Sequence, residues 1–552
     1  MKNCTPAKYL YALILLAIVI NGLGLFSPVL NSNDAYFYAV ISKTMATSHN
    51  WVDLYYAGQD WLDKPHFPFW LTALSFKLFG INAFAYVLPG FVFNLIGAFY
   101  TYKLAKLFYD KPTGLVAALI YLTSLHLMLS AMDIRAEAYL LGEIMPACYY
   151  WLIYDRSSQI KALLFASVFT GLALMTKGLF VVITIFSGLV ASWVYARHYL
   201  RVMSPKWLLA YFLSLLCALP EFVCLYLQFD AHPEKVVFGQ THISGLFWYF
   251  WGSQFGRFFN SGPIVNTHGN PLFFVHTFLW AFLPWSLIFI AGVYASLRKF
   301  KSTSADRRSV LIYLHFSFWL TFILFSATKF QLDHYTNIIM PFAAILCANY
   351  LVSNQDNLRN LARLQLAIAG LLAVLTIVLI GIIFKFSAYS LLVLLPLVVL
   401  LGMIKFARGN NYLQQCLIWP SLAINCAFIF MMVVNGVIYQ RYDIGYNVAK
   451  LVNAAPVKLP IYGLNLNGVV NNLDFHSDSP VYAVNSFNDI HVTSYYLLAN
   501  DNLAKQDLPI NAKKIATYTG IEMQKFIPSL LSKKNYNNSV QTDVLYLVTA
   551  KN

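Results

Sequence analysis

The first long apolar run of the chain, YLYALILLAIVINGLGLFSPVL (Tyr9–Leu30), leads directly into a polar and aromatic stretch, NSNDAYFYAVISKTMATSHNWVDLYYAGQDWLDKPHFPFW (Asn31–Trp70). The run is long enough to cross a bilayer, because a transmembrane helix needs about 20 apolar residues. The stretch after it carries four aspartates and many aromatic rings. We therefore expect a membrane protein whose functional residues lie in this loop, beside the membrane surface.

The rest of the chain repeats the apolar pattern. Of its 552 residues 59% are apolar and 11% are charged, and the mean hydropathy is +0.60. Runs of this length predict helices, because the strands of a membrane barrel are only about ten residues long. We predict an all-α polytopic membrane protein with about 13 transmembrane helices by the length rule. The predicted spans are 9–30, 83–106, 112–132, 135–154, 160–177, 179–196, 207–228, 271–296, 309–328, 335–353, 362–384, 388–406 and 417–439.

The composition changes near Gln440. Asn, Asp, Ser and Lys become common after it, and no later run is long enough to cross a bilayer. Short alternating segments such as LPIYGLN and DVLYLVTAKN predict strands, and YNVAKLVNAA predicts a helix. We therefore predict a transmembrane domain over residues 1–440, with outer loops 31–80 and 229–270, and a small soluble α/β domain over residues 441–552.

Basic residues gather in alternate connections between the predicted spans, for example Lys103, Lys106 and Lys111. Such connections are retained in the cytoplasm, so the loops 31–80 and 229–270 and the C-terminal domain are expected outside it. The net charge of +15 comes from bases scattered between apolar runs, which argues against nucleic acid as a partner. The seven cysteines show neither the clustering of a metal site nor a disulfide pattern.

Two positions in the first outer loop are candidates for chemistry. Asp34 follows the first span, where it could cap a helix over Ala35–Met45 or serve as a functional carboxylate, and the two roles are compatible. Asp63 and Lys64 precede Pro68–Gly80, an apolar stretch that is too short to cross and is expected along the membrane surface. They form either an ordinary ion pair or a cation held toward a phosphate, with the carboxylate orienting it.

Further groups that could donate hydrogen bonds to a phosphate are expected on the same side of the membrane. Arg257 lies in a second interfacial stretch, Leu246–Phe259, which is dense in aromatic rings. Lys329, His334 and Tyr335 lie together in TKFQLDHYTNIIMP, before the next apolar run. Several cationic or hydroxyl donors would then surround one outer cavity.

Asp133 lies at another outer junction of two spans, in AMDIRAEAYL, with Arg135 and Glu137 close by. Asp133 could form a local ion pair that closes a tight turn, or it could belong to the site, and the sequence does not decide between the two. Histidines occur on the outer loops without HxxH or HExxH spacing. We predict no metal ligand and no cofactor, although a divalent metal is compatible with the pattern.

At these positions the chain resembles the GT-C glycosyltransferases that use polyprenyl-phosphate sugars. The likeness is to the bacterial 4-amino-4-deoxy-L-arabinose transferases of lipid A and the dolichyl-phosphate-mannose protein mannosyltransferases. It is carried by NDAYFYAVISKTM, WLDKPHFPFW, Asp133, YFWGSQFGRFF, HGNPLFFVHTFLWAFLPW and KFQLDHYTNIIMP, in order over most of residues 1–350. The chain departs from the lipid A enzymes at Phe37, where they usually have arginine, and at Ser253–Gln254, where they have an acidic residue and a histidine.

The resemblance implies an integral membrane glycosyltransferase that moves a sugar from a polyprenyl-phosphate donor to lipid A, another envelope glycan or a protein. It implies the bacterial inner membrane as location, with the site facing the periplasm among membrane lipids. Asp34 would be the base for a hydroxyl acceptor or an orienting group for a phosphate acceptor. Lys64, Arg257 and Tyr335 would stabilise the departing phosphate, beside Asp63, Asp133, Lys329 and His334.

Two other classes of protein stay open. A transporter or flippase of a lipid-linked sugar would also be polytopic, but such proteins often show internal repeats and broken helices, which the sequence does not reveal. A noncatalytic scaffold of envelope assembly would not need charge concentrated in the outer loops.

Overall fold

The computed structural model describes residues 7–266, 269–384, 411–501, 508–509 and 511–549. The helices up to the last membrane helix are α1 (Ala7–Gly22), α2 (Asn33–Ser48), α3 (Phe67–Phe79), α4 (Ala83–Phe108), α5 (Lys111–Leu122), α6 (Leu125–Leu129), α7 (Ala136–Ser157), α8 (Ile160–Lys177), α9 (Val181–Tyr195), α10 (Pro205–Cys217), α11 (Leu219–Leu225), α12 (Gly245–Phe247), α13 (Ser253–Phe259), α14 (Phe273–Ala281), α15 (Ser286–Arg298), α16 (Ala305–Ala327), α17 (Met340–Ser353), α18 (Arg359–Phe384) and α19 (Tyr412–Val433). The later helices are α20 (Ile444–Asn453), α21 (Asn467–His476), α22 (Met523–Leu530) and α23 (Lys533–Ser539). The strands are β1 (Tyr55–Tyr56), β2 (Gln59–Asp60), β3 (Ile461–Leu464), β4 (Val481–Val484), β5 (Tyr495–Asn500), β6 (Ala512–Ile521) and β7 (Val540–Val548).

Within the described residues, seven helical segments are long and apolar enough to cross a membrane. They are Lys8–Phe26, Ala83–Phe108, Ile160–Lys177, Ala305–Ala327, Asp333–Ser353, Arg359–Ile383 and Tyr412–Tyr442. Two bent segments, one over α10 and α11 with a bend of 46° and one over α14 and α15 with a bend of 113°, raise the number to nine. The chain is therefore a helical multi-pass membrane protein, as predicted.

Four predicted spans do not appear among these nine segments, and each has its own reason. The spans 112–132 and 179–196 contain α5 and α9, which have only 12 and 15 residues. The span 135–154 corresponds to α7, whose two buried glutamates lower its hydropathy. The span 388–406 lies outside the residues that the structure describes, so the number thirteen stays a prediction.

The first outer loop forms two helices. Helix α2 begins at Asn33, and its N-cap is Ser32, whose hydroxyl accepts a hydrogen bond from the backbone N–H of Ala35. The prediction that Asp34 caps this helix is therefore wrong, because Ser32, one residue before the helix, is the N-cap and its hydroxyl satisfies one of the free N–H groups. Helix α3 covers nearly the whole of the predicted surface stretch Pro68–Gly80. Its proline, Pro68, lies in the first turn of the helix, where the missing N–H would have no hydrogen-bond partner anyway.

The C-terminal part contains a five-stranded sheet in the order β4-β3-β5-β7-β6. Strands β3, β4 and β5 are parallel, and β7 pairs antiparallel with β5 and β6. This agrees with the small α/β fold predicted for the tail. The boundary between residues 440 and 441 stays a prediction, since the last membrane segment continues to Tyr442 and the first strand starts at Ile461.

Helix α21 attaches the C-terminal part to the first outer loop. Phe475 is 2% exposed and packs between the rings of Tyr36 and Phe76, with centroids 5.8 and 6.0 Å away. Lys43 forms an ion pair with Asp474 at 3.2 Å. These contacts fix helix α2 against the C-terminal part, and this helix carries part of the site described next.

Candidate active site

Two neighbouring cavities lie among segments that the sequence analysis predicts outside the cytoplasm. The apolar cavity, of about 300 Å³, is lined mainly by rings and aliphatic side chains such as Phe180, Leu225 and Phe258. The polar cavity, of about 360 Å³, extends toward Asp34 and Arg135. Six residues line both cavities and form what we call the shared wall: Asp63, Lys64, Lys177, Arg257, Phe330 and Tyr335.

Asp63 is the centre of the shared wall. Its carboxylate accepts hydrogen bonds from Lys64 and from the guanidinium of Arg257. Burial alone would raise the pKa of Asp63, but the two cations hold it at about 2. The carboxylate is therefore ionised and fixes both cations at the boundary of the two cavities, where one positive charge remains uncompensated among the three groups.

The segment that carries Lys64 is anchored by a buried pair that the sequence analysis missed. The backbone N–H of His66 donates to the Glu221 carboxylate at 2.9 Å, and Nδ1 of the ring lies 3.1 Å from the same carboxylate. The other ring nitrogen lies 2.7 Å from the carbonyl oxygen of Val52. Both side chains of the pair are fully buried. Glu221 lies within an apolar predicted span, and a carboxylate there was the available signal.

Lys177 is a third cation of the shared wall that the sequence analysis did not select. It ends helix α8, forms an ion pair with Glu137, and places its Nζ 4.1 Å from the centre of the Tyr335 ring. Basic residues are expected mainly at the cytoplasmic ends of the spans, whereas Lys177 lies at the predicted outer end of the span 160–177. This exception was the signal in the sequence that could have identified Lys177.

Asp34 lines the polar cavity but not the apolar one. Its carboxylate is 59% exposed and lies 2.9 Å from the guanidinium of Arg135. The same guanidinium contacts Asp133 at 3.1 Å and Nδ1 of His334 at 3.2 Å. The hydroxyl of Ser32 donates to Asp133 at 2.6 Å. Arg135 thus fixes Asp34 while leaving much of the carboxylate accessible from the cavity.

The structure brings most of the predicted site residues together. The polar cavity is lined by Asp34, Asp63, Lys64, Arg257, His334 and Tyr335. Asp133 lies behind this surface and acts on it through Arg135. Lys329 lines neither cavity, because its backbone pairs with Phe258 and Gly269 and its side chain is exposed. We therefore leave Lys329 out of the proposed site.

Within the described ranges, no group of three or more His, Cys, Asp or Glu side chains is arranged to hold a metal ion. Nδ1 of His334 lies 3.1 Å from the Asp333 carboxylate, and its Nε2 lies 3.8 Å from the Glu137 carboxylate.

We expect kcat/KM to fall as the pH rises through about 8. Burial and the neighbouring Arg257 lower the pKa of Lys64 to about 8, although Asp63 opposes them. A lowered pKa means that the ammonium is present below this pH and lost above it, and a neutral amine cannot stabilise phosphate charge. The measurement is a profile of kcat/KM from about pH 6 to 10. Lys64→Arg is the control: its guanidinium stays protonated, so an unchanged alkaline limb near pH 8 would exclude Lys64 as the titrating group.

Comparison with known proteins supports the resemblance to glycosyltransferases. The pattern of the dolichyl-phosphate-mannose-protein mannosyltransferase family matches residues 63–223. An uncharacterized protein of Aquifex aeolicus is 26% identical over 487 residues, which cover 85% of this chain and 87% of that protein. The undecaprenyl phosphate-alpha-4-amino-4-deoxy-L-arabinose arabinosyl transferase 2 of Proteus mirabilis is 25% identical over 333 residues, and the match spans 59% of this chain and 56% of that enzyme.

Two solved structures show the fold. ArnT from Cupriavidus metallidurans bound to undecaprenyl phosphate superposes with a TM-score of 0.75 at 17% identity, over 98% of both chains. The oligosaccharyltransferase of Archaeoglobus fulgidus superposes with a TM-score of 0.51 at 13% identity, over 90% of this chain and 70% of that one.

The chain therefore has the multi-pass membrane fold of these solved structures, the GT-C fold, with a small C-terminal sheet. The relatives that are named arabinosyl transferases confirm the predicted resemblance, and they confirm glycosyltransferase as the class of enzyme.

Proposed function

We propose that the protein transfers a sugar from a polyprenyl-phosphate donor to an acceptor outside the cytoplasm, which is lipid A, another envelope glycan or a protein. The observation that carries this proposal is the shared wall, where three cations lie between an apolar and a polar cavity. A polyprenyl-phosphate sugar has the same order of parts: an apolar chain, an anionic phosphate and a polar sugar. The Proteus relative is named for a donor of this type.

In the proposed complex the polyprenyl chain occupies the apolar cavity, and the phosphate contacts Lys64, Lys177 and Arg257. The sugar then extends into the polar cavity toward Asp34. When the bond between the anomeric carbon and the phosphate oxygen breaks, negative charge grows on the phosphate. Cations already fixed by carboxylates stabilise this charge without reorganising, which lowers the barrier most effectively. A single displacement inverts the anomeric configuration.

We also propose the bacterial inner membrane as location, with both cavities facing the periplasm. The alternating basic connections of the sequence support this orientation. A reporter fused after Arg408 should then be cytoplasmic, and one fused after Lys450 should be external. Protease accessibility in spheroplasts gives an independent readout of the second fusion. A cytoplasmic C-terminal part would contradict both the orientation and the proposed donor site.

The proposal is tested by the fate of the donor. Purified protein in detergent should release free polyprenyl phosphate from a polyprenyl-phosphate sugar, detected by mass spectrometry. Lys161→Ala, which changes an exposed lysine outside both cavities, is the matched control and should release as much as the wild type. A transporter or flippase would move the intact lipid across a vesicle without cleaving it, and a scaffold would do neither. Intact donor after incubation with folded protein and an extract of the bacterial envelope would refute the proposed transfer.

A further inference from the structure

The charges around the two sides of the polar cavity differ, and the difference bears on the acceptor. We propose, on the basis of the proposed transfer reaction, that the acceptor group is an uncharged hydroxyl of a saccharide and not a phosphate. This names the substrate class of the site, which neither the fold nor the relatives decide for this chain.

The shared wall, where the donor phosphate is proposed to bind, is the donor side of the cavity. It carries more positive than negative charge. Lys64, Arg257 and Lys177 are three cations, and Asp63 and Glu137 are the two carboxylates that pair with them. One positive charge is therefore left over, which matches the single negative charge of a phosphodiester donor. Once the donor is bound, the described residues on this side leave no positive charge for a second anion.

The side around Asp34 carries the opposite excess. Arg135 is shared by Asp34 and Asp133, at 2.9 and 3.1 Å, which leaves one negative charge. His334 does not change this balance, because even its protonated form is paired with Asp333 at 3.1 Å. A phosphate monoester carries a charge of about −1.5 to −2 at neutral pH and would be repelled here. A hydroxyl group would not.

The rest of the wall on this side offers rings instead of cations. Phe37, Trp61 and Phe238 line the same cavity as Asp34. Phe37 packs against Tyr56 and Trp61, with centroids 4.0 and 5.6 Å apart, so the rings form a rigid surface. Ring faces pack well against the C–H faces of a sugar but cannot neutralise an anion. Among the described residues that line the polar cavity, every lysine and arginine already has a carboxylate partner.

The reaction step follows from this assignment. The oxygen of the acceptor hydroxyl forms a bond to the anomeric carbon, and the bond from that carbon to the phosphate oxygen breaks, with its electron pair leaving on the phosphate. The hydroxyl proton passes to the carboxylate of Asp34, which later releases it to water. The products are a glycoside and polyprenyl phosphate. A hydroxyl acceptor needs such a base, whereas a phosphate acceptor is already ionised.

The test determines the linkage of the transferred sugar. Lipid A and surface glycans of a deletion strain and of the same strain carrying the wild-type gene are compared by mass spectrometry and phosphorus NMR. We expect the gene to add a sugar in glycosidic linkage to a saccharide hydroxyl, with the same number of phosphate monoesters in both strains. A sugar on a lipid A phosphate, a sugar on a protein side chain, or no difference in glycans despite donor cleavage would overturn this inference.

The purified protein separates this result from a failure of the proposed function. Release of polyprenyl phosphate with the sugar recovered on a phosphate would retain the transferase and refute the hydroxyl acceptor. Absence of release with the envelope extract of the deletion strain would refute the transferase itself.

Discussion

Lys64→Ala should lower the turnover of donor by about 100- to 1000-fold, which is the usual cost of removing one group that stabilises developing negative charge. Lys64 lies in the shared wall, and Asp63 holds it there together with Arg257. Its removal leaves Asp63 paired with one cation and takes away the uncompensated positive charge that the phosphate needs. The measurement is the rate of polyprenyl phosphate release by the purified variant under saturating donor.

The control for this prediction is Lys64→Arg. It keeps the charge but moves it, because the planar guanidinium is larger than an ammonium, so part of the activity should survive. Both variants must elute as folded protein before their rates are compared. Wild-type turnover in a folded Lys64→Ala protein would remove Lys64 from the site and leave Arg257 and Lys177 as the cations to test.

Asp34→Asn should nearly abolish transfer, by about 100- to 10,000-fold, while donor binding stays close to normal. The amide keeps the shape of the carboxylate but cannot accept the proton of a hydroxyl acceptor. Folding should be unaffected, because Ser32 and not Asp34 caps helix α2. The measurements are the transfer rate and the Kd for donor, taken on the same preparation.

A matched variant separates loss of a base from a general effect of changing carboxylate to amide. Asp110→Asn makes the same change at the N-cap of α5, outside both cavities, and asparagine caps about as well as aspartate. It should retain full activity. Asp34→Asn with only a small loss would point to an orienting role and a phosphate acceptor, and wild-type transfer would exclude Asp34 from the reaction.

Much of the fold could be predicted because the bilayer imposes a length on each helix. A run of about 20 apolar residues in a row is typical of a membrane span, so nine of the thirteen predicted spans match segments of the described residues that are long and apolar enough to cross, counting the two bent ones. The same reasoning placed Lys64, Arg257 and Tyr335 on one side of the membrane, although they are far apart in sequence. It could not show that Asp63 joins two of them, because that depends on how the outer segments fold over the bundle.

The missed residues are those whose role exists only through a distant partner. His66 and Glu221 are separated by 155 positions, and Lys177 and Glu137 by 40. Each was visible as a charged or titratable group beside apolar residues, but no local pattern names its partner. The capping hypothesis failed for a different reason. Both Ser32 and Asp34 are suitable N-cap residues, and the helix begins at Asn33, two positions before the predicted Ala35.

The most direct test of the account is an experimental structure of the protein with polyprenyl phosphate bound. We expect the phosphate at the shared wall, with its oxygens within hydrogen-bonding distance of Lys64 and Arg257, and the polyprenyl chain in the apolar cavity beside Phe180 and Leu225. A phosphate bound away from these cations, or a chain that leaves the apolar cavity empty, would contradict the proposed donor site.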